Sequence, residues 1–336
     1  MAAGAQAAEL RELAGVRVEE LEPLLAEEVR AWGEELEWDY RPSADLARRY
    51  VEMGALSGYA LAVDGQVAGY AYYVAEEHKS LIGDLFVMEE YRTAENERLL
   101  LGAVLGASMR TRGVRRIESQ LMMLKRAREG PLPGAKFLSS YPRKLMIAEL
   151  AGLGKMRPRW MADKVVFDRW TERRQDETAH LIAAAYRNHL DSQINDQYRT
   201  AEGARRFLFN IVQYPGCGVF FPAAGWAAIE RGTGRLCGIS LGSLVAAEVG
   251  HVTQICVAPW ARGQGVGYEL LRRSLEALAQ SGGRKASLTV TAANEAAMQL
   301  YERVGFRVLR EFAAQVWQGA DCTSGPPWGG GAGGPG

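Results

Sequence analysis

Between Val257 and Leu278 the sequence reads VAPWARGQGVGYELLRRSLEAL. A short apolar run ends at Pro259, Gly263, Gly265 and Gly267 alternate after it, and Val266, Leu270, Leu271, Leu275 and Leu278 then recur at helical spacing. A strand, a bare turn and a helix in that order can hold an anion. The first N–H groups of a helix have no internal acceptor, and the helix dipole adds partial positive charge there. Glycines remove the Cβ atoms that would keep a pyrophosphate away, and Arg262 adds a formal charge at the edge. Two phosphate-binding loops do not fit. A P-loop needs Gly-Lys-Ser/Thr at the end of the turn, and a dinucleotide fingerprint needs Gly-x-Gly-x-x-Gly with an acid about 20 residues on. Here the spacing is Gly-x-Gly-x-Gly, and residues 282–288 read GGRKASL without an acid.

A third pattern does fit: Arg-x-x-Gly-x-Gly, directly after a strand and opening a helix. In these residues the chain resembles the GNAT superfamily of acyl-CoA-dependent acyltransferases. A second stretch strengthens the resemblance. TAANEAAMQLYERVGF, Thr291 to Phe306, is similar to the family's Asn-x-x-Ala-x-x-Leu-Tyr-x-x-x-Gly-Phe. It also makes local sense, with Asn294 as an N-cap, Ala297, Leu300, Tyr301 and Val304 on one face, and Gly305 as the stop.

The resemblance implies acetyl-CoA as cosubstrate and direct attack of an amine on its thioester. It places the pyrophosphate over Arg262, Gly263, Gln264, Gly265, Val266, Gly267 and Tyr268, and backbone contacts to the acyl arm at Ile255, Cys256 and Val257. Asn294, Ala297 and Tyr301 flank the thiol end, and the strand HVTQICV is expected to splay from KASLTVT to admit pantetheine. Tyr301 matches the family's usual general acid, and a phenol with a pKa near 10 is protonated at neutral pH. His251 stands eleven residues before Arg262, where related enzymes often carry a basic glutamate, and Glu248 is a nearby substitute. Histidine titrates in a range suited to such work, and strand alternation puts His251 on one face with Thr253 and Ile255. The acceptor is expected to be a small-molecule amine or a protein N-terminus. A non-catalytic acyl-CoA sensor or partner-binding protein is the competing reading; it would need the glycines but not Tyr301.

These elements need a scaffold, and 336 residues exceed what one core usually serves, so two domains are expected. Val87, Arg92, Leu100 and Leu101 correspond to Val257, Arg262, Leu270 and Leu271 at one offset of 170 residues. GQVAG at Gly65–Gly69 and GRLCG at Gly234–Gly238 read as matching hairpin turns, each entering a strand. Each half runs strand, helices, antiparallel meander, long helix, buried strand. The meanders are GYALAV, QVAGYAYYVA and SLIGDLFV in one half, and WAAIE, LCGISLGSLV and HVTQICV in the other. GVRVEEL and KVVFDRW read as the opening strands, RRIESQLMM and KASLTVT as the closing ones. The expected fold is α/β: two tandem GNAT-like domains, each a mixed, mostly antiparallel twisted sheet flanked by helices. Boundaries are placed at 1–14 for an N-terminal extension, 15–158 for a degenerate domain, 159–319 for the catalytic domain and 320–336 for a disordered Gly/Pro-rich tail. The first domain is read as degenerate because Glu95 and Glu97 stand where glycines are required, and because KFLSSYPRKLMIAEL replaces the second motif.

Zero formal net charge argues against a nucleic-acid partner. No apolar run has membrane-spanning length, and the Ala-rich start lacks the pattern of a signal peptide. Cys217, Cys237, Cys256 and Cys322 show no ligand spacing, so no metal site is expected and a reducing, cytoplasmic setting fits. A monomer or homodimer is expected.

Overall fold

The computed structural model describes residues 8–158, 164–214 and 216–319; the expected tail, and the start of the expected catalytic domain at 159–163, lie outside them. In the first half the elements are β1 (Ala8–Glu12), α1 (Val18–Leu36), α2 (Arg41–Glu52), β2 (Gly58–Val63), β3 (Gln66–Glu76), β4 (Lys79–Val87), α3 (Ala94–Arg110), β5 (Arg116–Ser119) and β6 (Leu138–Glu149). The second half continues with β7 (Val165–Arg169), α4 (Gln175–Ala185), α5 (Asp191–Ile194), α6 (Ala201–Gln213), β8 (Val219–Phe220), β9 (Trp226–Glu230) and β10 (Leu236–Ala246). It ends with β11 (Val249–Val257), α7 (Val266–Gln280), β12 (Lys285–Thr291), α8 (Glu295–Val304) and β13 (Arg307–Gln318).

The described residues form two compact units, and neither is a contiguous half. One takes the chain up to Ala31, Ala44–Tyr141 and the residues from Phe312; the other takes Trp32–Ser43 and Pro142–Glu311. The first unit orders its strands β1-β2-β3-β4-β5 and closes with the C-terminal part of β13, which pairs antiparallel with β5 through Val316↔Glu118. The second runs β12-β11-β10-β9-β7, with the C-terminal part of β6 closing it through Leu288↔Met146. In both sheets every pairing is antiparallel except one, β4 with β5 and β11 with β12. The mixed, mostly antiparallel sheets anticipated from the alternating patterns are therefore present in each unit.

The opening strand is placed differently from the reading of GVRVEEL. Residues 8–12, expected as an extension, form β1 beside β2 with Leu10↔Leu61. Val18 onward is helix because Glu20 reaches back to accept from the Arg17 N–H at 3.0 Å, one half of a capping box. RRIESQLMM shortens to β5 at Arg116–Ser119, and α2 was not anticipated. At α8 the local chemistry acts as read, and two threonine caps not singled out in the sequence act in the same way. Thr93 caps α3, Thr200 caps α6 and Asn294 caps α8, each accepting from a first-turn N–H. Gly305 ends α8 at φ +105°, a left-handed conformation that glycine adopts freely.

Leu270, Leu271, Leu275 and Leu278 on α7 are fully buried. Each such side chain contributes about 1.5–3 kcal/mol of burial. Leu271, Leu275 and Leu278 meet Val252, Leu288, Val290 and the buried face of α8; Leu270 packs with Cys237, Ile239 and α4. This packing fixes the first turn of α7 beside the end of β11.

Candidate active site

β11 and β12 pair in parallel only from Val249↔Lys285 to Val252↔Leu288. Beyond that point β12 stays bonded to β6 as far as Thr291↔Arg143, while β11 stays bonded to β10 as far as Val257↔Gly238. The two strands therefore part after Val252, as the splay expected from HVTQICV and KASLTVT requires. Backbone groups of Gln254–Val257 that point away from β10 face the opening.

A bulge marks the start of the splay. Gly242 pairs with Val252 but Leu241 pairs with Gln254, so Thr253 is an extra residue in β11. The bulge corrects one expectation: His251 shares its face with Gln254 and Cys256, not with Thr253 and Ile255. Ile255 packs instead toward α7 and α8 with Val252. The first unit carries the same device, because Tyr73 pairs with Ile82 and Tyr72 with Asp84, leaving Gly83 extra in β4.

The glycine turn follows. Gly263 (φ +73°) and Gly265 (φ +89°) occupy left-handed conformations, so two of the three glycines are demanded by the backbone itself. Gly267 is not: a Cβ there would meet only the Val257 Cγ2 at an ordinary 3.5 Å. Gly265 is the N-cap of α7 and supplies no side-chain acceptor. The N–H groups of Val266, Gly267 and Tyr268 thus end the helix without an intrahelical acceptor. Arg262 folds back, donating from Nη2 to the Ala185 carbonyl at 2.6 Å and from Nε to the Val257 carbonyl at 3.3 Å. It ties β11 to the end of α4 while its residue remains exposed. Gln264 donates to the Trp260 carbonyl, and Tyr268 to the Arg157 carbonyl. A cavity of about 470 Å³ lies beside this turn, lined among others by Tyr268, Met156, Arg303 and Arg307.

Tyr301 is buried on α8, edge-on to Phe306 at 6.0 Å. Burial, and then the charge of Asp191, raise its pKa, so the phenol keeps its proton at neutral pH. The Asn294 side chain is engaged as the N-cap, accepting from the Ala297 N–H at 3.3 Å, and Ala297 packs beside the buried face of α8. Cys256 is buried, and burial pushes its thiol up to about 12, so it is no thiolate nucleophile at neutral pH.

His251 is buried too. Its Nδ1 lies 2.8 Å from the Ser287 hydroxyl, and its ring is 5.2 Å from that of Trp38. Burial, and then the positive charge of Arg143, lower its pKa to about 4. A histidine so placed is neutral near pH 7 but a weak base there. Glu248 is not brought to the opening. It sits in the β10–β11 turn with its side chain 59% exposed, 3.7 Å from Arg284, roughly 20 Å along the strand from Ile255.

Residues without a motif complete the site. Tyr186 and Tyr198 stack at 4.5 Å, Gln254 donates to the Tyr186 hydroxyl at 3.1 Å, and Tyr198 donates to Gln254 at 3.4 Å. Asp191 accepts from the Thr291 hydroxyl at 2.5 Å. Arg143, the cross-strand partner of Thr291, has its Nε buried without a hydrogen bond among the described residues.

The first unit keeps the splay, since β4 and β5 pair only to Ile82↔Ser119, but closes the helix entry. The Thr93 hydroxyl caps α3. Arg92 turns inward onto the Val87 carbonyl, as Arg262 does onto Val257. Glu97, 1% exposed, accepts from the N–H groups of Ala127 (2.6 Å) and Lys125 (3.3 Å). Leu121, Leu124 and Ala127 are buried in the core with Val87 and Leu101. A strap of the chain's own backbone is therefore pinned at the first turns of α3.

The second unit thus combines a parted parallel strand pair, a bulge at the parting and an uncapped helix after a glycine turn. In a comparison with known families, residues 170–306 match the model described as Acetyltransferase (GNAT) family. Among solved structures, a GCN5-related N-acetyltransferase from Sphaerobacter thermophilus is similar at 15% identity and a TM-score of 0.65, over 93% of this chain and 95% of that one. A tandem GNAT protein from the clavulanic acid biosynthesis pathway is similar at 14% identity and 0.62, over 93% and 98%. A GCN5-related glucosamine N-acetyltransferase region of a fungal multi-domain β-N-acetylglucosaminidase follows at 15% and 0.59, over 94% of this chain and 38% of that one. The fold is thus that of tandem GNAT proteins. A comparison with curated proteins gave no match. No helix among the described residues is long and apolar enough to cross a membrane, and no cluster of His, Cys, Asp or Glu among them could hold a metal ion.

Proposed function

We propose that the second unit transfers an acetyl group from acetyl-CoA to a primary amine by direct attack. The observation that carries this reading is the parting of β11 from β12 beside the uncapped α7 turn. The turn receives the pyrophosphate, and the cavity with Arg303 and Arg307 suits the phosphorylated nucleotide end. The acyl arm runs along Ile255–Val257, whose free backbone N–H groups polarise the thioester carbonyl. The ammonium acceptor first loses a proton to solvent. Its nitrogen then bonds to the carbonyl carbon, the C–S bond breaks, and Tyr301 donates its proton to the departing thiolate. The amide nitrogen gives up a proton that restores the phenol. The products are the amide, the CoA thiol and one proton.

The protonated state of the Cys256 thiol favours direct attack over an acetyl-cysteine. Neutral His251, held by Ser287 and Trp38, orders the pocket face rather than taking the proton. The free, buried thiols of Cys237 and Cys256 fit a reducing, cytoplasmic setting. Calorimetric titration with acetyl-CoA, followed by thiol release in the presence of amines, tests the reading. Binding with turnover supports it. Binding without turnover by any amine supports the acyl-CoA sensor instead.

A further inference from the structure

The face of the sheet that carries the opening presents two opposite charges that do not meet. Ser287, Thr289 and Thr291 alternate onto one face of β12. Their cross-strand partners Ile147, Leu145 and Arg143 lie on the same face of β6. At the open end of this face stand Thr291 and Arg143. Thr291 donates to Asp191 Oδ1, which fixes the carboxylate carried in by α5. Asp191 Oδ2 has no hydrogen-bond donor among the described residues and lies 3.8 Å from the His189 Nδ1, which already accepts from the Asp191 N–H.

Arg143 is the positive member. It makes no ion pair or hydrogen bond among the described residues, and its Nε is out of contact with solvent. A buried guanidinium N–H without an acceptor is costly, and a planar fork is best satisfied by a carboxylate. Burial raises the Tyr198 pKa, the Arg143 charge lowers it and the Asp191 charge raises it, so both charges lie near that hydroxyl. They are nonetheless more than 4 Å apart, since no ion pair joins them. Stacked Tyr198 and Tyr186 are held by Gln254 on β11, at the splay. After burial, the Asp191 charge is the next cause of the raised Tyr301 pKa, so Asp191 lies near that phenol.

We propose that the acceptor is an amine that carries its own carboxylate, an amino-acid-like zwitterion, with its ammonium on Asp191 and its carboxylate on Arg143. This rests on the acetyltransferase reading above. Asp191 collects the cationic acceptor and Arg143 fixes its far end, so the nitrogen, once deprotonated, points toward the thioester. Amines without a carboxylate leave Arg143 unsatisfied and are turned over poorly.

The test uses the full-length protein, acetyl-CoA and a panel of α-, β- and γ-amino acids, each beside its own carboxamide, with CoA thiol release as the readout. At least one amino acid should exceed its carboxamide by about tenfold or more in kcat/KM. Arg143→Gln should raise KM for that acid about ten- to a hundredfold, the scale of a charged hydrogen bond, with kcat little changed and the carboxamide unaffected. Arg143→Lys, which keeps the charge but loses the fork, should recover part of the loss and guards against a folding defect. Equal turnover of acids and carboxamides, an Arg143→Gln effect equal on both, or acetyl-CoA binding with no acid acetylated overturns the zwitterion assignment. Failure to bind acetyl-CoA at all overturns the acetyltransferase reading beneath it, and calorimetry separates the two.

Discussion

Gly267→Glu separates the ligand's needs from those of the fold. Gly267 is in the first turn of α7, at an ordinary helical φ, and a Cβ there meets only Val257 Cγ2 at 3.5 Å. A glutamate at this position is therefore unstrained. It gains helix propensity over glycine, up to about 0.7 kcal/mol, and its charge favours a helix N-terminus by roughly 0.3–1 kcal/mol. Folding stability should hold or rise slightly. The bound pyrophosphate, however, would meet a carboxylate at ~4 Å. At an effective dielectric near 20 that repulsion is about 4 kcal/mol, close to a thousandfold in affinity. Gly265→Glu cannot make this separation, because φ +89° strains any side chain. The assay pairs thermal melting with calorimetric titration of acetyl-CoA. An unchanged or higher melting temperature with binding weakened at least a hundredfold is expected. Binding within threefold of wild type would refute the placement of the pyrophosphate at this turn. A melting temperature lowered by several degrees would refute the claim that only the ligand needs this glycine bare.

Tyr301→Phe should lower kcat by about 10²- to 10⁴-fold, the usual worth of a general acid, with acetyl-CoA affinity kept; unchanged kcat in single-turnover kinetics would remove its acid role. Cys256→Ala should retain turnover within a few-fold, and mass spectrometry of the wild type after incubation with acetyl-CoA should show no acetyl adduct on Cys256. His251, with a folded pKa near 4 against an ordinary 6.5, binds fewer protons folded than unfolded between those values. Its contribution is thus present above pH 6.5 and lost as pH falls toward 4, about 3 kcal/mol in all, and His251→Gln should flatten that part of a denaturation-versus-pH curve. In kcat/KM an acid limb near pH 6.5 that His251→Gln abolishes would restore histidine as the base.

Much of this arrangement was legible because it is local. Period-two alternation with glycine-bearing turns marked β2, β3, β4, β9, β10, β11 and β12, and capping chemistry marked the start of α8. The glycine turn and the Asn294–Gly305 stretch are contiguous motifs, so their positions followed from spacing alone. What depended on distant partners was hidden. The bulge at Thr253 exists only relative to β10, and this one extra residue moved Gln254 and Cys256 onto the His251 face. KFLSSYPRKLMIAEL showed no element because the strands that pair with β6 are formed far along the chain. GVRVEEL alternates on paper, but the Glu20 capping contact starts a helix there. Tyr186, Asp191, Tyr198 and Arg143 come from α4, the segment after it and β6, with no shared motif. For the first three the one sequence signal is polar and aromatic residues in the α4–α6 connection, a place where loops commonly carry binding groups; Arg143 has none.

The central claim is that one opening in this chain binds acyl-CoA and the other has closed its helix entry. Calorimetric titration of the wild-type protein with acetyl-CoA tests it most directly. The account predicts a single site per chain. Two sites would mean that the strap pinned by Glu97 yields to ligand and the first unit is not degenerate. No binding would leave the parted strands and the glycine turn without their ligand, and would contradict the account.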